Sequence, residues 1–109
     1  MNFGEPIPTK SKDSVKVYPS LLEFVEDSKS LKELLQKRCL FGIEKYGVEL
    51  TTHNGRNMEK DFLEEMLDGL VYLEGIMLED GDDFFLRNTR LMLCMIVEKM
   101  LARMEVKND

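Results

Sequence analysis

The chain has 109 residues, 43% of them hydrophobic, with 15 Lys and Arg against 21 Asp and Glu and a formal net charge of −6. That length supports one domain with a modest core, and the acidity excludes a nucleic-acid polymer as partner, because such backbones are gripped by clustered Lys and Arg and no basic stripe is visible. No apolar run is long enough to span a bilayer and the N-terminal stretch lacks the apolar core of a signal peptide, so a soluble cytoplasmic protein with no membrane partner is expected, in a cell or an infected host.

Residues 1 to 19 hold all three prolines and read as an arm with little regular structure, able to dock through Val15 to Tyr18. Residues 20 to 109 read as a single helical domain. Two S-x-x-E patterns, Ser20 to Glu23 and Ser30 to Glu33, place helix starts where hydroxyl and carboxylate can satisfy exposed backbone donors. A short helix over about 20 to 28 and a longer one over about 30 to 46 follow, the second closed by Gly47 as a left-handed cap. Gly42 inside that helix points to close approach of a neighbouring helix or ligand, since glycine there costs about 1 kcal/mol against alanine.

Gly47 to Asn57 forms a long connection with a turn at Asn54-Gly55 and ligand-capable groups at Thr51, Thr52, His53, Asn54 and Arg56. The next helix carries Asp61, Glu65 and Asp68 in one narrow sector, because spacings of four and three stack side chains on one face. Either that stripe faces water, with Glu64 beside it, or it faces a cation that takes oxygen ligands. Met58, Phe62, Met66, Leu70, Leu73 and Met77 make one apolar face and Leu67, Val71 and Leu78 a second, a distribution that predicts an enclosed helix. A break at Glu79 to Asp83, with Asp82 or Asp83 as cap, leads into a last helix over about 84 to 104. Its stretch Leu91 to Val97 is apolar all round, which places it at the centre of a bundle or against another subunit. Cys39 and Cys94 sit in apolar helical patterns and read as reduced core residues. No zinc spacing and no Gly-rich phosphate loop is present.

The run Glu44-Lys45-Tyr46-Gly47, then Asn54-Gly55-Arg56, Asp61, Glu64-Glu65-Met66-Leu67-Asp68 and Val71-Tyr72-Leu73 resembles the MazG-like all-α nucleotide pyrophosphohydrolases. The likeness covers about residues 36 to 78 and is nearest to the short viral and phage-type members, its most specific piece being the E-x-x-D of Glu65 and Asp68. It implies an all-α bundle of three to four helices, completed by a second subunit, that hydrolyses an NTP or dNTP to monophosphate and pyrophosphate. It also implies Mg²⁺, or Mn²⁺ in its place, held by carboxylates from two antiparallel helices. On that reading Glu44, Asp61, Glu65 and Asp68 are the metal ligands, Glu44 and Glu65 act catalytically, and Lys45, Asn54, Arg56 and Tyr72 contact the nucleotide.

One departure stands out. The family pattern places two acids a turn apart on the first helix, but Leu40 and Phe41 occupy the positions before Glu44, and Glu33 is about 16 Å away along the helix. A nucleotide-binding or sequestering protein without turnover therefore remains an alternative, as does a small helical interaction module with a solvated acidic stripe. The apolar flanks predict a homodimer or homotetramer built around the last helix.

Overall fold

A computed structural model describes residues 13–108 as four helices: α1 (Val17–Phe24), α2 (Lys29–Tyr46), α3 (Met58–Asp80) and α4 (Phe84–Asn108). The all-α expectation is met. The chain divides between Arg56 and Asn57 into two compact units, each a helical hairpin. Of the arm expected over 1 to 19, residues 1 to 12 lie outside the described residues.

In the first unit α1 begins at Val17, three residues before the expected Ser20 start. Pro19 is tolerated as the third helical residue because its missing N–H would have no partner within the helix anyway. The Val17 N–H is satisfied from outside the helix, donating to the Leu50 carbonyl at 3.1 Å. A tight turn, in which the Ser28 N–H donates to the Val25 carbonyl at 2.9 Å, carries the chain into α2. Ser28, in extended backbone, is the N-cap, so Ser30 falls inside the helix and the second S-x-x-E pattern is also misplaced. The Ser28 carbonyl already accepts the Lys32 N–H at 2.9 Å, which starts the helical ladder before Ser30 can cap it. Lys32, Leu35, Cys39, Gly42, Ile43 and Tyr46 are the half-buried side of α2, and Val17, Tyr18, Leu22 and Val25 the half-buried side of the α1 segment packed with it. Gly47 closes α2 at φ 79°, as expected, its N–H donating to the Ile43 carbonyl at 2.7 Å. At Gly42 no neighbouring helix among the described residues comes close, since a Cβ there would meet nothing within 4 Å.

In the second unit Asn57 caps α3, its side-chain oxygen accepting the Lys60 N–H at 3.0 Å. The side of α3 that packs on α4 consists of Glu59, Leu63, Met66, Leu70, Leu73 and Met77, spaced alternately four and three residues apart, with Leu73 and Met77 fully buried. On α4 the matching residues are Leu86, Arg90, Leu93, Val97, Met100 and Met104, at the same spacing and with Val97 buried. This is the 3.5-residue repeat on which coiled-coil seams are built. The expected apolar face differs in detail, because Met58 and Phe62 fall outside the seam and are exposed while Leu63 lies within it. Polar pairs also join the two helices along the seam. Arg90 donates to Glu74 at 2.7 Å, and at the far end Arg103 and Lys107 both donate to Glu59, at 2.8 and 2.6 Å. Asp83 begins α4 as expected, accepting the Leu86 N–H at 2.7 Å, while Asp82 pairs with Arg87 at 3.0 Å.

A single hairpin seam leaves the other sides of both helices uncovered within the unit, so the enclosed α3 predicted from its two apolar flanks is not seen: Leu67, Val71, Tyr72, Ile76 and Leu78 are exposed. The same holds for the all-round apolar stretch of α4, where Leu91, Met92 and Met95 are exposed. Cys94 is exposed as well, which corrects its reading as a core residue. Among the described residues no helix is long and apolar enough to cross a membrane.

Candidate functional site

The acidic stripe is set by the register of the α3 seam. With Met66, Leu70, Leu73 and Met77 turned toward α4, the 100° step between residues carries Asp61, Glu65 and Asp68 to the opposite side of the helix. Glu65 and Asp68 are exposed and Asp61 is half-buried. Tyr72, one turn beyond Asp68, shares this outward side and is exposed. The backbone N–H of Asp61 donates to the Asn57 carbonyl at 3.0 Å, so the stripe begins in the first turn of α3. Acids are favoured there, because the unpaired N–H groups of the helix start carry partial positive charge. Among the described residues no group of three or more His, Cys, Asp and Glu side chains is gathered to hold a metal ion. The pair formed by Glu65 and Asp68 supplies two hard oxygen donors a turn apart, the complement that Mg²⁺ uses when substrate phosphates and waters complete its shell.

Glu44, Lys45, Asn54 and Arg56 belong to the first unit. Glu44 and Lys45 are exposed in the last turn of α2, where Glu44 stands on the side away from α1 with Leu40 and Phe41, both of them exposed. The Lys45 ammonium lies 5.1 Å from the centre of the Tyr46 ring and the Arg38 guanidinium 5.0 Å from that of Phe41, distances at which a cation is attracted to a ring face.

The connection after α2 is more ordered than turn signals alone indicate. Asn54, 2% exposed, accepts the Arg56 N–H on its side-chain oxygen at 3.0 Å, a local turn that turns the chain toward α3. Gly55 takes φ 85° within it, and His53 takes φ 51°, the one non-glycine residue with positive φ among those described. The His53 ring nitrogen Nδ1 lies 3.2 Å from the Thr52 hydroxyl. A backbone clasp holds the start of this loop: the Thr52 N–H donates to the Val15 carbonyl at 2.8 Å and the Val15 N–H to the Thr52 hydroxyl at 2.9 Å. Lys16, paired with Thr51 in an isolated bridge, also forms an ion pair with Glu49 at 3.7 Å. Docking of Val15 to Tyr18 was expected from sequence; its target, the strand-like stretch Leu50 to Thr52, has no sequence signal beyond the Thr51-Thr52 pair.

Two titrating groups near the clasp are shifted. Burial, reinforced by the nearby Glu49 carboxylate, pushes the Cys39 thiol up. Burial likewise raises the Tyr18 phenol, with Cys39 adding to the effect and Arg38 opposing it. Both shifts favour the neutral forms, so Cys39 is a poor nucleophile.

Compared with protein-family models, curated proteins and solved structures, the chain matches none.

Proposed function

We propose that this chain is a Mg²⁺-dependent hydrolase that splits a nucleoside triphosphate into monophosphate and pyrophosphate, as its resemblance to MazG-like proteins suggests. The observation that carries the reading is the outward display of Glu65 and Asp68 on α3, opposite the seam that buries the apolar side of the same helix. A carboxylate pair kept on the open side of a helix otherwise rich in apolar residues is available to a cation and to the phosphates bound with it. Glu65 and Asp68, with Asp61 a turn earlier on the same helix, are the proposed ligands; a bound ion would supply charge neutralisation on the phosphoryl oxygens and acidify a water. Glu65 would accept the proton of the water that attacks phosphorus. Arg56 and Lys45 pair with phosphate oxygens, Tyr72 offers a ring face to the base, and Asn54 holds the loop from which Arg56 projects. Mn²⁺ has the same preference for oxygen donors and should substitute.

One observation favours a second reading, nucleotide binding without turnover. The surroundings of Glu44 on the outer side of α2 are Leu40 and Phe41, so this helix offers a single acid where a two-helix site calls for a pair. Pyrophosphate release from a panel of NTPs and dNTPs, with and without Mg²⁺, alongside calorimetric binding of the same nucleotides, separates the two. Metal-dependent release supports the hydrolase; Mg²⁺-dependent binding without release supports sequestration; neither release nor binding overturns both and leaves a helical interaction module.

A further inference from the structure

The geometry points to the outer side of α4 as a self-association surface, on which a second copy of this chain lays its own α4 antiparallel about a twofold axis that crosses the outer face at the level of residue 93. This inference is independent of the nucleotide reading. It starts from a second stripe on α4. Phe84, Asn88, Leu91, Met95, Glu98 and Ala102 recur at alternating steps of four and three, on the side opposite the residues that pack on α3. That is a second coiled-coil seam on one helix. Phe84 is 75% exposed, Leu91 60%, Met92 61% and Met95 50%, and Phe85 and Leu101 flank the stripe, also exposed. Together these six side chains offer roughly 550 Å² of apolar surface, taking about 150 Å² for a fully exposed side chain, the low end of the aromatic range because four of the six are Leu or Met. A stable interface needs about 800 Å² per partner, so the stripe and its polar rim suffice for one.

The occupant follows from how the stripe matches itself. With the axis at the level of residue 93, Leu91 meets Met95 of the second copy, twice by symmetry, and large Phe84 meets small Ala102. Asn88 meets Glu98, Arg87 lies one residue from that same Glu98, and Lys99 comes over the Phe85 ring. At the centre of the register Glu98 thus finds an amide and a cation, and Lys99 an aromatic face. A parallel pairing would instead set Glu98 against Glu98 and Phe84 against Phe84, a like-charge and over-sized match. A closed twofold contact also buries the same patch on both chains and leaves none to propagate.

The test uses the full chain at about 100 μM, by sedimentation equilibrium. The wild type should show twice the 12.7 kDa mass of one chain, while Met95→Glu and Leu91→Glu should each give the single mass with helical circular dichroism retained. A wild-type monomer, as when residues of the same chain cover this face, overturns the proposal, and so does a dimer that survives both variants. Should the variants lose their helicity, a short bis-maleimide on the unmutated surface decides. The antiparallel register sets Cys94 beside Cys94 of the second copy, so cross-linked dimer should form, persist in Cys39→Ser and vanish in Cys94→Ser; a doubled mass without that cross-link overturns the register and the surface together.

Discussion

Leu73 and Leu78 lie five residues apart on α3, and comparing them tests whether the α3–α4 seam is the core of the second unit. Leu73 is 8% exposed and Leu78 is 79% exposed. Replacing a buried leucine by alanine typically costs 2 to 5 kcal/mol, the transfer of the lost methyl and methylene groups plus a cavity term. The seam around Leu73 is narrow, and its neighbours Leu70 and Met66 are only half-buried, so the hole can partly collapse and admit water. That argues for the lower part of the range, about 2 to 3 kcal/mol for Leu73→Ala. Leu78→Ala removes the same atoms from a position already in water, and surface changes of that kind stay within about 0.5 kcal/mol. Urea denaturation followed at 222 nm measures both variants in the same buffer. In so small an assembly the Leu73 variant loses a large share of the total stability, so outright loss of helicity agrees with the estimate. Equal losses, or a larger loss at Leu78, would show that the outer side of α3 is a packed surface in solution and refute the reasoning.

Further outcomes follow from other contacts. Glu59 holds two cations, and the hydrogen bonds from Lys107 and then Arg103 keep its carboxyl below its ordinary value of 4.5. A depressed carboxyl adds stability that is fully present above that ordinary value and is lost as pH falls through the lower folded one; acid titration of the wild type should therefore be steeper below about 4.5 than that of Glu59→Gln, and superimposable curves would remove the clamp from the account. Gly47→Ala puts a Cβ into the left-handed conformation at φ 79° and should cost about 1 to 2 kcal/mol in urea unfolding, with no loss if the helix end simply rearranges. Exposed Cys94 should react with iodoacetamide at pH 8 well before Cys39, whose thiol is pushed up by burial, and peptide mapping that finds Cys39 labelled first contradicts that ordering. Glu65→Gln and Asp68→Asn should each abolish Mg²⁺-dependent pyrophosphate release while keeping helicity, and turnover at the wild-type rate in either one removes the proposed ligands.

The fold was legible where the signal is local and unopposed. Gly47 after Tyr46, the turn at Asn54-Gly55 and Asp83 ahead of Phe84 each sit at the helix end or turn their chemistry favours. The capping boxes misled because a serine three residues before a glutamate is also common inside a helix, and the helix start is decided by what the preceding residues bond to. Val17 bonds to Leu50, and that partner is thirty-three residues away in sequence. Choosing among the apolar flanks of α3 failed for a related reason: with apolar residues on several sides, the seam is set by which side the partner helix shares, here the one containing Leu63. The acidic stripe needed only the helical repeat and was visible from the start, whereas the clasp at Val15 and Thr52 is made largely of backbone groups, which every residue carries.

That clasp makes the first unit a closed circuit. The chain leaves the clasp through α1, turns at Val25 to Ser28, returns along α2 and meets itself again at Leu50 to Thr52. A flexible loop gains freedom slowly with length, so fastening its two ends together costs little entropy beyond what the helices have already surrendered. The fastening ties the motion of residues 47 to 56 to that of residues 15 to 17, and amide exchange at Val17 and Thr52 should rise and fall together. Beginning the chain at α1 would remove Val15 and with it both bonds to Thr52, leaving the Val17 to Leu50 contact to hold the loop alone, and faster amide exchange at Thr52 is the expected result.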